Sequence, residues 1–451
     1  SKQAVAGSNP VSRSNSVSDL TERMSVAPSL HSGCFSIMPK PKNKLTWLIL
    51  ILIFTSISFS DYHRANEIQN IIKSDKFSII KWEIRHLPLK WTHLLWELFP
   101  GNTPSDSERI QIVDEYLKLA RQVNKEEILI DKGLKTPKYP PNHPYSALSG
   151  LIHKKEKLRA KAEESIEANL SFIAHKQNLG LPFGILFPPV DIRLDTPPHI
   201  LITSPRDEIK VTNKQLIQSN INGHKKQEIE NKTEETLNVS ALIDNISGLG
   251  TYPALVSDQH DLRQIFRTAA HEWLHNYWFF KPLGQQMWNS TEMYTLNETA
   301  ADIAGDELGD LAFLNFGGDL SDPGDKYLTN TNYENQLYTI LRETRKTTEI
   351  LLNEGKISEA ENYMKSQWWL LKLSGYNIRK INQAFFAFRG SYATGPASIS
   401  PIGNELMEYR TFFPNPGSFI KQIAKVKDYD QFKEELSRMR LLSTSNHSVP
   451  D

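Results

Sequence analysis

Cysteine is almost absent from this chain: Cys34 is the only one in 451 residues. A single cysteine excludes an intramolecular disulfide and a cysteine-based metal cluster. Because Cys34 lies near the N-terminus, the remainder of the chain also lacks a cysteine nucleophile. A metal site in that remainder must therefore be built from histidine and carboxylate side chains.

The chain also lacks a net charge, since 52 basic side chains balance 52 acidic ones. Without a positive field or a long basic run, we expect no nucleic-acid partner. A hydrophobic fraction of 39% and a mean hydropathy of -0.44 exclude a protein with several membrane spans. The 9 tryptophans and 20 phenylalanines exclude a disordered chain. The composition therefore predicts a soluble folded body.

One long apolar run stands near the N-terminus, at residues 45–60, behind the basic stretch "MPKPKNK". The Ser-rich and Asn-rich residues 1–44 before it are predicted to be disordered. As a helix the run is about 22 Å long, against a hydrocarbon core of about 30 Å. It is therefore a signal peptide or a single transmembrane anchor, and both alternatives stay open. Either one predicts an extracytoplasmic location, secreted or membrane-anchored.

After residue 60 the sequence pattern changes from helical to strand-like and back to helical. This order predicts an α+β fold, mostly helical with a small antiparallel sheet. Residues 61–180 form a helical region with long charged and apolar stretches. Residues 181–320 form the predicted catalytic core, and residues 321–451 a helical C-terminal region. The predicted strands precede the helix at 261 and are the runs "FGILF", "VDIRL", "HILIT", "IKVT", "SALID" and "TYPALVS". The polar insert "SNINGHKKQEIENKTEETLN" between them is a surface loop or a short helix.

The most informative stretch is "HEWLH", from His271 to His275. Asp261 and Gln264 form a helix-start signal close to a capping box, so the motif lies inside a predicted helix. At 3.6 residues per turn the two histidines share one face, where both rings reach a single ion. That spacing suits tetrahedral zinc and places Glu272 on the flank as a general base.

An HExxH string alone occurs by chance in on the order of a few per cent of chains of this length. The acidic stretch "TLNETAADIAGDEL" strengthens the interpretation of "HEWLH" as a metal site, because it offers further ligands. Glu298 and Asp302 lie one helical turn apart, so one can bind the metal while the other supports a ligand. Glu292 is the alternative third ligand, although it has no acidic partner one turn later. We therefore prefer Glu298.

Together the two stretches resemble the signature of the gluzincin metallopeptidases, the thermolysin-like superfamily. That signature is HExxH on one helix and Asn-Glu-x-x-x-Asp on a later helix, and the resemblance covers about residues 261–310. It implies a zincin-like fold and hydrolysis of peptide bonds. The matching residues are His271, Glu272, His275, Asn297, Glu298 and Asp302.

The resemblance also implies a role for each matching residue. It implies that His271, His275 and Glu298 bind Zn2+. It implies that Glu272 is the general base for a metal-activated water, and that Asp302 orients His271 from behind.

Two further residues have roles that the resemblance suggests. Asn297 would be a support residue at the start of the second helix. Gluzincins also use a tyrosine or histidine from a later segment to stabilise the oxyanion, and Tyr392 in the loop "RGSYATGP" is the candidate. A tyrosine that simply packs at a loop corner is the other interpretation.

The leading hypothesis from the sequence is an exported or membrane-anchored zinc-dependent peptidase that acts on a peptide or protein substrate. The N-terminal segment would contact the membrane if it is not cleaved. The alternative is a non-catalytic envelope protein with a structural or vestigial zinc site. The presence of Glu272 favours the peptidase, since a purely structural site needs ligands but no general base.

Overall fold

Helices and short strands alternate up to Ser257, after which the described chain is helical. The computed structural model describes residues 67–85, 104–131, 140, 143, 146–181, 185–321 and 331–446. The strands are β1 (Ile192–Asp195), β2 (His199–Pro205), β3 (Asn213–Ile217), β4 (Val239–Asn245), β5 (Gly248–Leu249) and β6 (Ala254–Ser257). The helices are α1 (Glu67–Ile71), α2 (Asp106–Asp131), α3 (Ala147–Lys176), α4 (Gly223–Leu237), α5 (Leu262–Trp278), α6 (Pro282–Gln285), α7 (Thr291–Asn315), α8 (Thr331–Asn353), α9 (Ile357–Leu373), α10 (Gln383–Arg389), α11 (Ile402–Thr411), α12 (Pro416–Ile423) and α13 (Tyr429–Asn446).

The predicted mixture of many helices and few strands is confirmed, but the strands form two sheets of three strands each. The first sheet, in the order β3-β2-β4, is antiparallel throughout, as predicted. The second has the order β1-β6-β5, and its β1 and β6 are parallel, so the prediction was wrong for this pair. The reason is the long connection between them: parallel strands need a crossover, and the whole first sheet and α4 lie between β1 and β6.

Two of the predicted strands differ in the structure, and the polar insert follows the helical one of its two predicted alternatives. The strand expected at "IKVT", residues 209–212, is replaced by β3, which begins at the next residue, because the ladder with β2 selects residues 213–217. The run "FGILF" forms no strand among its described residues, where Ile185 makes a single bridge to Leu181. The polar insert is helix α4, capped by the side chain of Asn222 and ended by Asn238 in the left-handed conformation, with φ 51°.

The outer edge of β1 is covered by side chains instead of a further strand. Glu163 and Glu167 of α3, one helical turn apart, accept hydrogen bonds from the backbone N–H groups of Leu194 at 2.9 Å and Ile192 at 2.8 Å. Unpaired edge N–H groups would otherwise invite pairing with another chain. The buried carboxylates of α3 therefore close the second sheet on this side.

The outer edge of β4 in the first sheet is closed in the same way. Glu230 and Glu234 of α4 accept from the N–H groups of Ile243 at 2.5 Å and Ala241 at 3.0 Å. Arg379 donates to Glu230, which neutralises that buried carboxylate. The buried acids on α3 and α4 are thus fully engaged in holding strand edges.

Strand β6 lies between two hydrophobic cores and leads into α5. Ala254 and Val256 pack into one core together with α3, α5 and α7. Leu255, which points to the opposite face, packs into the other core together with β2, α9 and α10. Burial on both faces explains why all four residues of this strand are buried.

Helix α7 is the central helix of the described body, since α3, α5, α11 and α12 all contact it. Its closest approach is to α5, and two glycines make this approach possible. A Cβ atom on Gly305 would lie 3.0 Å from the Cα of His271, and one on Gly309 would lie 2.5 Å from the Cα of Arg267. Small residues therefore set the spacing of these two helices.

No helix of the described ranges has both the length and the apolar character needed to cross a membrane. The segment at residues 45–60, predicted to be a signal peptide or an anchor, and residues 1–44 lie outside these ranges.

We expect Gly309→Ala to lower the free energy of unfolding by about 1–3 kcal/mol, because the added methyl group meets backbone atoms of α5 that cannot turn aside. Urea unfolding followed by circular dichroism measures the change. Gly150→Ala is the matched control: this exposed helical glycine has nothing within 4 Å of an added Cβ, so alanine should stabilise by about 0.5–1 kcal/mol. Equal effects at the two positions would contradict close packing at Gly309.

Candidate metal centre

Helix α5 places the two histidines, and its start is the predicted one. Asp261 is the N-cap, and its side chain accepts from the N–H of Gln264 at 2.9 Å. From this start His271 and His275 fall one turn apart on the same face. Their Nε2 atoms lie 2.9 Å apart, so both rings point at one place.

Helix α7 places the carboxylate of Glu298 opposite the histidines. The helix begins at Thr291 because Ser290 caps it, accepting from the N–H of Met293 at 3.1 Å. Asn297 therefore lies inside the helix, and the expectation that it stands at the helix start was wrong. Its buried amide donates to the carbonyl of Leu283 at 3.3 Å, which ties α7 to α6.

His271, His275 and Glu298 form one group in which all potential ligand atoms lie within 4.8 Å of one another. The Oε2 atom of Glu298 is 3.7 Å from the Nε2 of His271 and 3.8 Å from the Nε2 of His275. Burial raises the pKa of Glu298, but the charge of His275 and the neighbouring ring of His271 lower it by more, so the pKa lies well below its usual range. The group therefore brings one carboxylate to face two imidazoles.

This group fits a divalent ion. Ligands that hold zinc at about 2.0–2.1 Å in a tetrahedron lie about 3.3 Å apart, and the three separations of 2.9, 3.7 and 3.8 Å are within about half an ångström of that value. Both oxygens of Glu298 are buried, and neither makes a hydrogen bond within the described part of the chain. A buried carboxylate without donors is costly, and a cation relieves that cost.

Asp302 contacts His271 on the side of the ring that faces away from the group. Its Oδ1 lies 2.9 Å from the Nδ1 of His271, the ring nitrogen that faces away from the group. A proton on Nδ1 leaves the lone pair of Nε2 directed at the group, which is the tautomer that a metal requires. Asp302 lies one turn after Glu298 on α7, so one helix supplies both the carboxylate in the group and the support for the facing histidine.

Glu272 is fully buried beside the group but is not a member of it. Its carboxylate faces β5: a Cβ atom on Gly248 would lie 2.4 Å from Oε1 of Glu272 and 2.8 Å from a methyl carbon of Thr268. Glycine at 248 therefore lets the strand pass close to this acid, since a larger residue would force the side chains of Glu272 and Thr268 to shift. The sequence analysis missed Gly248, although a glycine within a run of short strands is a recognisable signal of close backbone approach.

The loop that carries Tyr392 docks on α7 next to the group. The N–H of Ala393 donates to the hydroxyl of Thr299 at 3.0 Å, and Thr299 directly follows Glu298. The ring of Tyr392, which is partly exposed, meets that of Phe388 edge to face at 6.5 Å. The loop is thus brought to the site, while oxyanion stabilisation by Tyr392 stays a prediction.

Glu292, the alternative third ligand, is exposed in the first turn of α7. The group found in the described part of the chain contains Glu298 instead. The difference follows from helix geometry, because position 298 faces α5 and position 292 faces solvent.

Two residues beside the group were not found in the sequence. Tyr294 lies one turn before Glu298 and is buried; burial, and next the charge of Glu298, raise the pKa of Tyr294 well above its ordinary value. Lys214 of β3 has its Nζ 3.9 Å from the centre of the Tyr294 ring. Burial lowers the pKa of Lys214 to about 8, although the charge of Glu298 opposes this. Tyr294 could have been found by its spacing, whereas Lys214 comes from a distant strand.

Comparisons with protein-family models, with curated proteins and with solved structures gave no match for this chain.

We expect the protein purified with zinc to bind about one ion per chain and Glu298→Ala to lose most of it, since the variant removes the only carboxylate of the group. Metal analysis after dialysis measures this. Glu292→Ala is the matched control on the same helix and should keep the zinc. Loss of zinc in the control alone would instead make Glu292 the ligand.

Asp302→Asn should weaken zinc binding about 10- to 100-fold, because the amide no longer fixes the tautomer of His271 as a carboxylate does. Competition with a chromophoric chelator measures the dissociation constant. The control is Asp306→Asn, an exposed acid one turn later whose carboxylate lies 3.5 Å from Arg267. Equal zinc affinities for the parent and Asp302→Asn would show that Asp302 does not support His271 as a ligand.

Proposed function

We propose that this protein is a zinc-dependent peptidase with a zincin-like catalytic core of the gluzincin kind. The observation that carries the proposal is the buried group of His271, His275 and Glu298, with Glu272 beside it on the same helix. The combination of three ligands and one additional acid is what metal-dependent hydrolysis needs. An exported or membrane-anchored location is part of the proposal and rests on the apolar run at residues 45–60.

When bound, zinc supplies Lewis acidity, which activates water and polarises the carbonyl of the substrate. The chain supplies the proton transfers: Glu272 accepts a proton from the attacking water and passes it to the leaving amine. Asp302 holds His271 in the tautomer that directs Nε2 inward. Tyr392, on the loop docked at Thr299, is the proposed donor to the oxygen that becomes negative.

One observation, the burial of the group, supports a second candidate function as a non-catalytic protein. His271 is 3% exposed, and both Glu272 and Glu298 are 0% exposed. Such burial favours the alternative of a non-catalytic protein with a structural or vestigial zinc site. Against it, structural zinc sites usually fill the fourth position with a protein ligand, and the group has three members.

Glu272→Gln separates the two functions. It should keep the zinc, because Glu272 is not in the ligand group, and it should lower kcat at least about 100-fold, since glutamine cannot accept the proton. Cleavage of a mixed peptide library by the zinc-loaded protein, read by mass spectrometry, measures activity, and metal analysis runs in parallel. The isosteric control is Glu292→Gln at an exposed position of α7.

The outcomes of this comparison are distinct. A zinc-loaded parent that cleaves nothing leaves the structural zinc site as the better function. A Glu272→Gln variant that cleaves as fast as the parent would show that Glu272 is not the general base, while the protein would still be a peptidase.

A further inference from the structure

We infer that Lys214 binds the C-terminal carboxylate of the substrate, so that the enzyme removes one or two residues from the C-terminus of a peptide. This inference rests on the proposed function and names its substrate class. A carboxypeptidase needs a cation at a fixed, short distance from the catalytic group. Lys214 is placed to be that cation.

Lys214 reaches the site from the other sheet. It lies on β3, which is at one end of the order β3-β2-β4, and its Nζ stands 3.9 Å from the centre of the Tyr294 ring. Tyr294 and Glu298 are one turn apart on α7, which places their Cβ atoms about 5–6 Å apart. One peptide residue spans about 3.3–3.6 Å. On this scale, the inference places one or two peptide residues between a carboxylate held by Lys214 and the metal group.

The ammonium group of Lys214 has capacity for an anion. Its Nζ lies over the face of the Tyr294 ring and makes no hydrogen bond or ion pair within the described residues, and the ring satisfies none of its three N–H donors directly. Glu298 is the acid whose charge acts on Lys214, and in the proposed function that carboxylate is committed to zinc. The half-buried cation is then left facing the aromatic ring, and a substrate carboxylate completes its environment.

Two other lysines, buried Lys155 and partly buried Lys380, are paired differently. Lys155 lies 3.0 Å from Asp258, and Lys380 lies 2.7 Å from Glu234. These two hold together elements of the fold with a carboxylate of the chain. Lys214 differs because its ring partner is neutral and the acid that influences it belongs to the metal group.

The surroundings of Lys214 also suggest which terminal residue fits. The ring of Trp288 lies 5.4 Å from that of Tyr294, and Trp288 is half exposed. A half-exposed indole packed against the Tyr294 ring gives this part of the molecule an apolar surface. We therefore choose test peptides that end in phenylalanine.

The experiment uses two peptides that are identical except for the C-terminus, one a free acid and the other an amide. The zinc-loaded parent should hydrolyse the acid with a kcat/KM about 10- to 100-fold higher, as expected for a hydrogen bond between charged groups. Lys214→Met should lose this preference by an increase in KM for the acid, with the amide unchanged. The control is Lys210→Met, an exposed lysine just before the same strand.

A second readout does not depend on turnover. Calorimetric titration of both peptides into the zinc-loaded Glu272→Gln variant, with and without Lys214→Met, should show tighter binding of the acid only where Lys214 is present. Circular dichroism confirms that each variant is folded. This binding readout decides the role of Lys214 even if the proposed hydrolysis is absent.

The two ideas fail in different ways. Hydrolysis of acid and amide at equal rates, with equal binding, overturns the role of Lys214 and leaves the peptidase intact. A loss of activity on both peptides to the same extent in Lys214→Met also overturns it, since the lysine would then only support Tyr294. No hydrolysis of any peptide overturns the proposed function, while the binding preference still supports or overturns the carboxylate site.

Discussion

The close contact between α5 and α7 is the constraint on which the rest of the site depends. Gly305 lies against the backbone of His271, and Gly309 lies against that of Arg267, so the two helices approach more closely than larger side chains permit. Arg263 and Arg267 of α5 both bind the carboxylate of Asp310 with hydrogen bonds of 2.7–2.8 Å, which fixes the same contact at the next turn. The short spacing brings Glu298 to the histidines and Asp302 to the back of one of them.

Buried acids elsewhere in the chain show why Glu298 is different. Glu163, Glu167 and Glu230 are buried, but each accepts a backbone N–H from a strand edge, and Glu230 also binds Arg379. Their cost of burial is offset within the fold. Glu298 faces two imidazoles, and its oxygens make no hydrogen bond in the described part of the chain. The carboxylate of Glu298 therefore holds no strand edge, which is consistent with the metal site that we propose.

In the proposed function, α7 carries residues for substrate recognition as well as for chemistry. Tyr294, one turn before Glu298, is the surface over which Lys214 lies, and Thr299, one residue after Glu298, holds the loop of Tyr392. Three separate segments, β3, α7 and the loop after α10, therefore meet around one short stretch of helix. In the proposed function, a peptide substrate bound there contacts all three segments.

The sequence by itself determined the helix start at Asp261, the pairing of His271 with His275 and the choice of Glu298, because these depend on helical spacing and capping, which are local. The strand called at "IKVT", the parallel pairing of β1 with β6 and the place of Asn297 inside α7 were decided by partners distant in the chain. Lys214 belongs to this second group. Only tertiary packing brings a strand residue over Tyr294, since no local pattern encodes contact between segments so far apart.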